Sequence, residues 1–157
     1  MLIRGIIIAL FCIFLDQAHK YYMLEIYNMP EKKLVIITSF YNNVMVWNKG
    51  ISFGLFQEFA KSNYFFLTTS SIIILLLCYF LSKAKTNFEM TGFATIIGGA
   101  VGNIIDRLRF GAVADFFDFH YKNYHWPAFN IADSCIFIGA CVLIIYSLFF
   151  ENKNETK

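Results

Sequence analysis

The chain has 157 residues, of which 58% are hydrophobic and only 15% are charged. Soluble domains carry charge on about a quarter of their residues, so this composition is typical of a membrane protein. The net charge of +2 and the absence of a basic run argue against a nucleic-acid partner. The four cysteines lie in apolar runs without a CxxC pair, which argues against structural disulfides and a zinc site of the usual spacing.

The first predicted element is a membrane-spanning helix over about residues 4–24. Its apolar part is residues 5–15, and the helix continues through the more polar stretch that follows. Arg4 before an apolar core is also typical of a signal peptide, but no small-x-small cleavage site follows. Phe11 precedes Cys12, where a lipoprotein signal needs a small residue. We therefore expect an uncleaved first span.

Two segments outside the bilayer are predicted between the spans. Residues 34–47 are β-branched and aromatic, which predicts a small hairpin with Asn42 and Asn43 at its turn. A glycine-bearing turn over residues 48–54 follows it. Residues 107–130 are rich in aromatic and polar side chains, which is typical of an interfacial loop.

Three further spans are predicted at about residues 63–82, 88–106 and 131–150. The uncharged run 64–81 covers roughly 27 Å at about 1.5 Å per residue, close to the hydrocarbon thickness of a bilayer. The third span carries small residues that let a neighbouring helix approach closely: Gly92, Gly98, Gly99, Ala100 and Gly102. The predicted fold is an all-α membrane protein with four transmembrane helices, forming one domain over residues 1–157.

The loop at residues 82–87 orients the spans. It holds Lys83 and Lys85 without an acidic residue, so the positive-inside tendency places it in the cytoplasm. Both termini are then cytoplasmic and both long segments lie outside. This orientation places Asp115 and Asp133 near the outer face of the membrane.

Ionisable residues at membrane depth are expensive unless paired or hydrated, which makes them candidates for function. Asp16 and Lys20 are four residues apart and can pair on one helix face, a structural role. Asp106 and Arg107 close the third span and can mark the interface, with Arg107 reaching the head groups. Asp133 opens the fourth span, where a helix N-terminus favours a negative charge.

A second acid near Asp133 points to chemistry. Asp115 follows the third span in an apolar setting, and the ends of two helices joined by a short segment are neighbours. Two close carboxylates cannot both ionise easily, so the pair shares a proton. One can then act as a base on water and the other as an acid toward a carbonyl, which is the chemistry of metal-free peptide hydrolysis. Asp118 is an alternative partner within the same segment.

Other functions fit the residues less well. Asp115, Asp118, His120 and His125 suggest a metal site, but no HExxH motif occurs. A small proton- or ion-conducting membrane protein using Asp16, Asp106 and Asp133 is the main alternative. It would need polar residues through the whole depth of the bundle, whereas residues 64–81 offer only hydroxyls. A structural subunit without chemistry is the third possibility.

The motifs together resemble one family. The sequence resembles lipoprotein signal peptidase (signal peptidase II), a family of bacterial inner-membrane aspartic endopeptidases. Ser52 stands where that family often has alanine. Five blocks carry the resemblance in order over nearly the whole chain: DQAHK (16–20), NKGISFG (48–54), GNIIDR (102–107), VADFFDF (113–119) and FNIADS (129–134).

The resemblance implies four transmembrane helices, a small extracytoplasmic β-rich cradle and an active site near the outer leaflet. We expect no cofactor or metal, and nothing in the sequence demands more than a monomer. Its partners would be membrane lipid and a substrate, a prolipoprotein with a diacylglyceryl group on a cysteine, cut just before that cysteine.

The resemblance also implies roles for individual residues. The catalytic pair would be Asp115 and Asp133. Asp16 and Lys20 would support the site from the first helix, and Asp106 would be a structural partner near Arg107. Four residues would line the site and bind substrate or orient the aspartates: Asn48, Asn103, Arg107 and Asn130.

Overall fold

The computed structural model describes residues 1–50 and 63–150. Most of these residues are helical, and the first long helix ends in one π-helical stretch, Tyr22–Ile26. The predicted turn over residues 48–54 and the Ser52 position lie partly or wholly outside the described residues. The α-helices are α1 (Leu2–Tyr21), α2 (Met29–Lys32), α3 (Asn63–Lys83), α4 (Asn87–Phe110) and α5 (Ile131–Phe149).

Four helical segments of the described chain are long and apolar enough to cross a membrane. Together with the small sheet described below, they confirm the predicted fold class of a four-span helical protein with a β-rich cradle. The segment Leu2–Ile26 joins α1 to its π-helical end. The other three candidate spans coincide with α3, α4 and α5.

Helix α4 packs directly against α1 and α5 because its small residues leave no side chain between the backbones. A Cβ atom added to Gly98 would lie 2.6 Å from the Cβ of Cys12 in α1. A Cβ added to Gly99 would overlap the carbonyl oxygen of Ala132 in α5. The predicted face for close helix approach therefore contacts two neighbours at once.

A four-stranded antiparallel sheet accompanies the helices, with strand order β1-β2-β3-β4. Its strands are β1 (Leu34–Ile36), β2 (Tyr41–Asn48), β3 (Val113–Tyr121) and β4 (Tyr124–His125).

Two sequence predictions about this region are wrong. The hairpin turn lies at residues 37–40, and Asn42 and Asn43 belong to β2, where they pair with Ile36 and Val35 of β1. The segment 107–130 is not a loop, because it contains the end of α4 and strands β3 and β4. Its alternating apolar residues form a strand because β2 offers a partner distant in the sequence, which local composition does not reveal.

Strand β3 connects the end of α4 to the start of α5. Gly111 ends α4 with φ +73°, a left-handed conformation that suits glycine and turns the chain into β3. Asp115 then lies opposite Val46 of β2. Farther along, Phe117 bridges to Phe129, just before α5 begins. The sheet therefore places Asp115 beside the N-terminus of the last helix.

Gly102 of α4 provides a test of the close packing. A Cβ atom at this position would lie 2.5 Å from Oδ2 of Asp16. We expect Gly102→Ala to lower the melting temperature in detergent, because overpacking a tight contact costs about 1–3 kcal/mol.

The control is Leu75→Phe, which adds more volume on α3 where the side chain is 70% exposed. We expect it to melt like the wild type. Equal melting temperatures for Gly102→Ala and the wild type would contradict the close approach of α4 and α1.

Candidate active site

The site is built around the N-terminus of α5. Asn130 is the N-cap of this helix and Asp133 is its third residue. The side-chain oxygen of Asn130 accepts a hydrogen bond from the backbone N–H of Asp133 at 3.0 Å. In return, Oδ2 of Asp133 accepts from the backbone N–H of Asn130 at 3.3 Å. This reciprocal capping box fixes the Asp133 carboxylate at the first turn of the helix.

Asp115 is buried and accepts a hydrogen bond on each carboxylate oxygen. Nδ2 of Asn130 donates to its Oδ1 at 2.7 Å. Nδ2 of Asn48, at the end of β2, donates to its Oδ2 at 3.0 Å. The Asn130 side chain thus binds Asp115, while the same residue forms the capping box with Asp133. One asparagine therefore links the two acids.

Asn103 of α4 reaches the second acid. Its Nδ2 donates to Oδ1 of Asp133 at 2.8 Å. Its Oδ1 accepts hydrogen bonds from Nζ of Lys20 at 3.3 Å and from Nδ2 of Asn130 at 3.2 Å. All three asparagines that the motifs assigned to the site therefore contact the aspartates or one another.

The orientation of each asparagine amide is fixed by a group that can only donate. These groups are the ammonium of Lys20 for Asn103, the backbone N–H of Asp133 for Asn130, and the backbone N–H of Gly50 for Asn48. Each amide oxygen faces its donor, so each NH₂ group faces a carboxylate. A proton on the pair must then occupy a lone pair that these donors leave free.

A buried cluster of charges supports both aspartates from behind. Nζ of Lys20 lies 2.8 Å from Oδ2 of Asp16 and 2.7 Å from Oδ2 of Asp106, and all three side chains are almost completely buried. Asp16 accepts from the backbone N–H of Ala132 at 2.9 Å. Asp106 accepts from the backbone N–H of Ala114 at 3.1 Å. Each carboxylate therefore holds the residue that precedes one member of the pair.

Arg107 and Asp106 serve different parts of the site. Asp106, the residue before Arg107, forms an ion pair with Lys20. Arg107 is 8% exposed, and its guanidinium lies 4.5 Å from the ring centre of Phe66, a cation–π contact. Its positive charge acts on both Asp115 and Asp133.

Sequence reasoning missed Gln17. Its Nε2 donates to Oδ2 of Asp16 and Oδ1 of Asp106, both at 3.1 Å, and to the carbonyl of Gly102 at 3.2 Å. The signal was available, because Gln17 is a polar residue at membrane depth beside Asp16.

Asp118 lies outside the network of the pair. Its carboxylate accepts from Nδ2 of Asn42 at 2.9 Å and lies 2.8 Å from Nδ1 of His125. Burial raises the pKa of Asp118, but the hydrogen bonds from His125 and Asn42 outweigh it and leave the pKa below its usual value. Among the described residues, no group of three His, Cys, Asp or Glu side chains is placed to hold a metal ion.

Asp115 has a strongly altered acidity. Burial raises its pKa, and the negative charge of Asp133 raises it further. The hydrogen bonds from Asn48 and Asn130 and the charge of Lys20 oppose this shift. The net result is a pKa of about 7.

Comparisons with known proteins identify the family of the chain. Residues 8–149 match the family model described as signal peptidase (SPase) II. The chain belongs to the signal peptidase II family. It is therefore a hydrolase of the aspartic peptidase class and a bacterial membrane protein, as the motifs implied.

Relatives named lipoprotein signal peptidase match this peptidase over most of its length. The protein of Anaplasma phagocytophilum is 42% identical over 146 residues, which cover 93% of this chain and 92% of the relative. That of Rickettsia conorii is 45% identical over 133 residues, which cover 84% of this chain and 66% of the relative. The match therefore spans about two thirds of the Rickettsia protein.

Two solved structures have the same fold as this peptidase. Both are described as a bacterial membrane enzyme studied by the in meso method, one at 2.3 Å and one at 1.9 Å resolution. Each is 32% identical to this chain, with TM-scores of 0.78 and 0.79. They cover 96% and 94% of this chain, and the match spans 90% and 94% of theirs.

Removing the charge of Lys20 tests the buried cluster. Lys20→Met keeps an apolar stem but leaves Asp16 and Asp106 without their cation. Breaking a buried ion pair by removing one partner costs about 3–5 kcal/mol, so we expect a large drop in melting temperature. Lys85→Met, at an exposed position, is the control and should melt like the wild type. A Lys20→Met protein as stable as this control would contradict the role of the cluster.

The raised pKa of Asp115 predicts how stability depends on pH. The folded protein keeps the Asp115 proton up to about pH 7, whereas an unfolded chain releases it near its ordinary value of 3.8. The folded state then binds more protons between these values, so the contribution of Asp115 to stability falls as pH rises from 3.8 to about 7.

Comparison with Asp115→Asn isolates this contribution. Melting temperatures of both proteins would be measured from pH 4 to pH 8. The melting temperature of the wild type should fall relative to that of the variant as pH rises. The corresponding difference in the free energy of unfolding has a limiting slope of about 1.4 kcal/mol per pH unit. Parallel curves over the whole range would contradict the raised pKa.

Proposed function

We propose that this peptidase removes the signal peptide from diacylglyceryl-modified prolipoproteins, cutting just before the lipidated cysteine, with Asp115 and Asp133 activating a water molecule. The observation that carries the proposal is that Asn130, at the start of α5, donates to both carboxylates, through its side-chain Nδ2 to Asp115 and through its backbone N–H to Asp133. Family membership and the names of the relatives support the substrate class. The domain would be one integral membrane unit over residues 1–157.

The two aspartates take different roles. Asp115, with a pKa of about 7, carries the shared proton at neutral pH and acts as the general acid. Asp133 is then the carboxylate that takes a proton from water as its oxygen attacks the scissile carbonyl. Asp115 gives its proton to the carbonyl oxygen. Asp133 then gives its proton to the leaving amine as the C–N bond breaks. Asp115 takes a proton back from a hydroxyl of the collapsing intermediate, which restores the starting protonation of the pair.

The surrounding residues keep this pair ready for reaction. Asn48, Asn103 and Asn130 supply NH₂ donors in fixed orientations, which hold the carboxylates in defined positions. Arg107 supplies a positive charge that limits the repulsion between the acids. Preorganised donors of this kind stabilise developing charge without reorganisation during the reaction.

The placement of the enzyme follows from the charge pattern of its loops. We propose the cytoplasmic membrane of a bacterium, with both termini in the cytoplasm and the sheet outside. The loop with Lys83 and Lys85 precedes α4, and strand β3 follows α4, so the loop and the sheet lie at opposite ends of that helix. This placement agrees with the positive-inside tendency. The active form would be a monomer surrounded by membrane lipid.

A proton relay through Asp16, Asp106 and Asp133 is not proposed. Asp16 and Asp106 both form buried ion pairs with the ammonium of Lys20, which binds them into one structural cluster. Groups held in this way support a site rather than pass protons along.

The catalytic pair is tested with Asp115→Asn and Asp133→Asn. Cleavage of a diacylglyceryl-modified precursor by purified protein would be followed in detergent. We expect kcat to fall about 100- to 10,000-fold in each variant, because general acid–base catalysis is lost. Asp118→Asn, the same substitution on the same strand, is the matched control and should keep most of the wild-type kcat. Loss of turnover in Asp118→Asn alone would overturn the assignment.

A second variant separates catalysis from folding. In Asp115→Asn, an NH₂ group faces the NH₂ of either Asn48 or Asn130, so some stability can be lost. The double variant Asn48→Asp/Asp115→Asn restores one donor and one acceptor at each contact without restoring the acid at residue 115. We expect it to melt near the wild type and to remain inactive. Activity in this double variant would show that a carboxylate at residue 115 is not required.

A further inference from the structure

Two grooves meet at Trp126, in the segment between β4 and α5. One, the sheet groove, has a volume of about 850 Å³, and its lining includes Asn48, Asp115, Asp118, His125 and Trp126 together with apolar side chains of β2. The other, the membrane groove, has a volume of about 420 Å³ and is lined by Trp126, Phe129, Asp133, Ser134, Phe137 and Ile138. Each member of the aspartate pair opens onto a different groove, and Trp126 lines both.

The two grooves differ in chemistry. The sheet groove runs beside a strand and presents amide side chains such as Asn42 and Asn48, which suits an extended polypeptide. The membrane groove is apolar apart from Asp133 and Ser134. Its α5 wall includes Phe137, which is 70% exposed on a candidate membrane span, so this groove opens toward the bilayer. Its lining suits a hydrocarbon chain.

Trp126 is held by its backbone while its ring remains uncovered. Its N–H donates to the carbonyl of Phe119 at 2.8 Å, which fixes the main chain to β3. The side chain is nevertheless 68% exposed. A large exposed aromatic ring at the junction of two grooves is the kind of residue that dominates binding energy.

We propose that Trp126 is a specificity-determining residue that packs against the lipidated cysteine of the substrate, with acyl chain in the membrane groove and the chain after the cysteine in the sheet groove. The proposal rests on the proposed function, which places the scissile bond just before that cysteine. The lipid attached to the cysteine must then leave the reaction centre toward the bilayer, and the membrane groove begins at Asp133. The polypeptide continues along the groove that holds Asp115.

Steady-state kinetics with three variants test this role. Trp126→Ala should raise KM for a diacylglyceryl-modified precursor about tenfold or more and leave kcat within a few-fold, since the aspartates are untouched. Trp126→Phe keeps an aromatic ring and should recover most of the affinity. Tyr124→Ala is the matched control, because Tyr124 is an exposed aromatic on the same hairpin that lines neither groove.

Acyl-chain length identifies the occupant of the membrane groove. Wild-type enzyme and Trp126→Ala would be compared on one precursor carrying either dioctanoyl or dipalmitoyl glycerol. We expect the wild type to prefer the longer chains and Trp126→Ala to lose most of that preference. An unchanged preference, with KM raised equally for both precursors, would mean that a peptide segment occupies the junction and would overturn the lipid assignment.

Fluorescence provides a readout that does not depend on turnover. The chain has two tryptophans, so Trp47→Phe leaves Trp126 as the only indole. In that background, Asp115→Asn prevents cleavage. Adding a diacylglyceryl-modified peptide in lipid nanodiscs should shift the emission to shorter wavelength, whereas the unmodified peptide should not. Equal responses to the two peptides, or no response when labelled peptide is shown to bind, would overturn the proposal.

Failure of this proposal is distinguishable from failure of the proposed function. If neither the wild type nor Tyr124→Ala cleaves the precursor, the function is wrong. If both cleave it, and Trp126→Ala has the same KM and the same chain-length dependence, the function stands and the role of Trp126 is wrong.

Discussion

The structure depends on one buried cation that bridges two carboxylates. Lys20 binds Asp16 and Asp106, and these acids hold the backbone N–H groups of Ala132 and Ala114. One ammonium group therefore sets the positions of the chain just before both members of the aspartate pair. Removing one member of a buried ion pair is costly, so loss of any of these three side chains should strongly destabilise the folded protein. Helices α1, α4 and α5 and strand β3 are tied together at this point.

That arrangement requires close helix packing, and it fixes the direction of the neighbouring hydrogen bonds. Asp16 can reach α5 only because Gly102 adds no side chain on α4. The same ammonium faces the oxygen of Asn103, which turns the NH₂ group of that residue toward Asp133. Stability and chemistry are therefore coupled through shared atoms. A change in the Lys20 cluster alters the hydrogen bonds of the aspartate pair, although the cluster side chains do not hydrogen-bond to the two aspartates.

Local rules predicted part of this structure and tertiary contacts decided the rest. The spacing of Asp16 and Lys20 predicted their pairing, and the small residues of the third span predicted close packing. The sequence could not show that Asp106 binds Lys20 rather than its neighbour Arg107, because that choice depends on how α1 and α4 meet. It also misplaced the first hairpin turn and missed β3, since strand formation there requires pairing with a segment about 70 residues away. Motif resemblance indicated the site residues, whereas their hydrogen-bond directions required the folded geometry.

The capping box at α5 has a consequence for the catalytic cycle. Oδ2 of Asp133 caps the helix by accepting a hydrogen bond from the backbone N–H of Asn130. In the proposed mechanism this same carboxylate gains a proton after water attacks. The first turn of α5 is then held most firmly in the resting enzyme and least firmly while the intermediate is bound. When the proton passes to the leaving amine, the capping hydrogen bond is complete again, so the first turn of α5 tightens as the enzyme reaches its starting state.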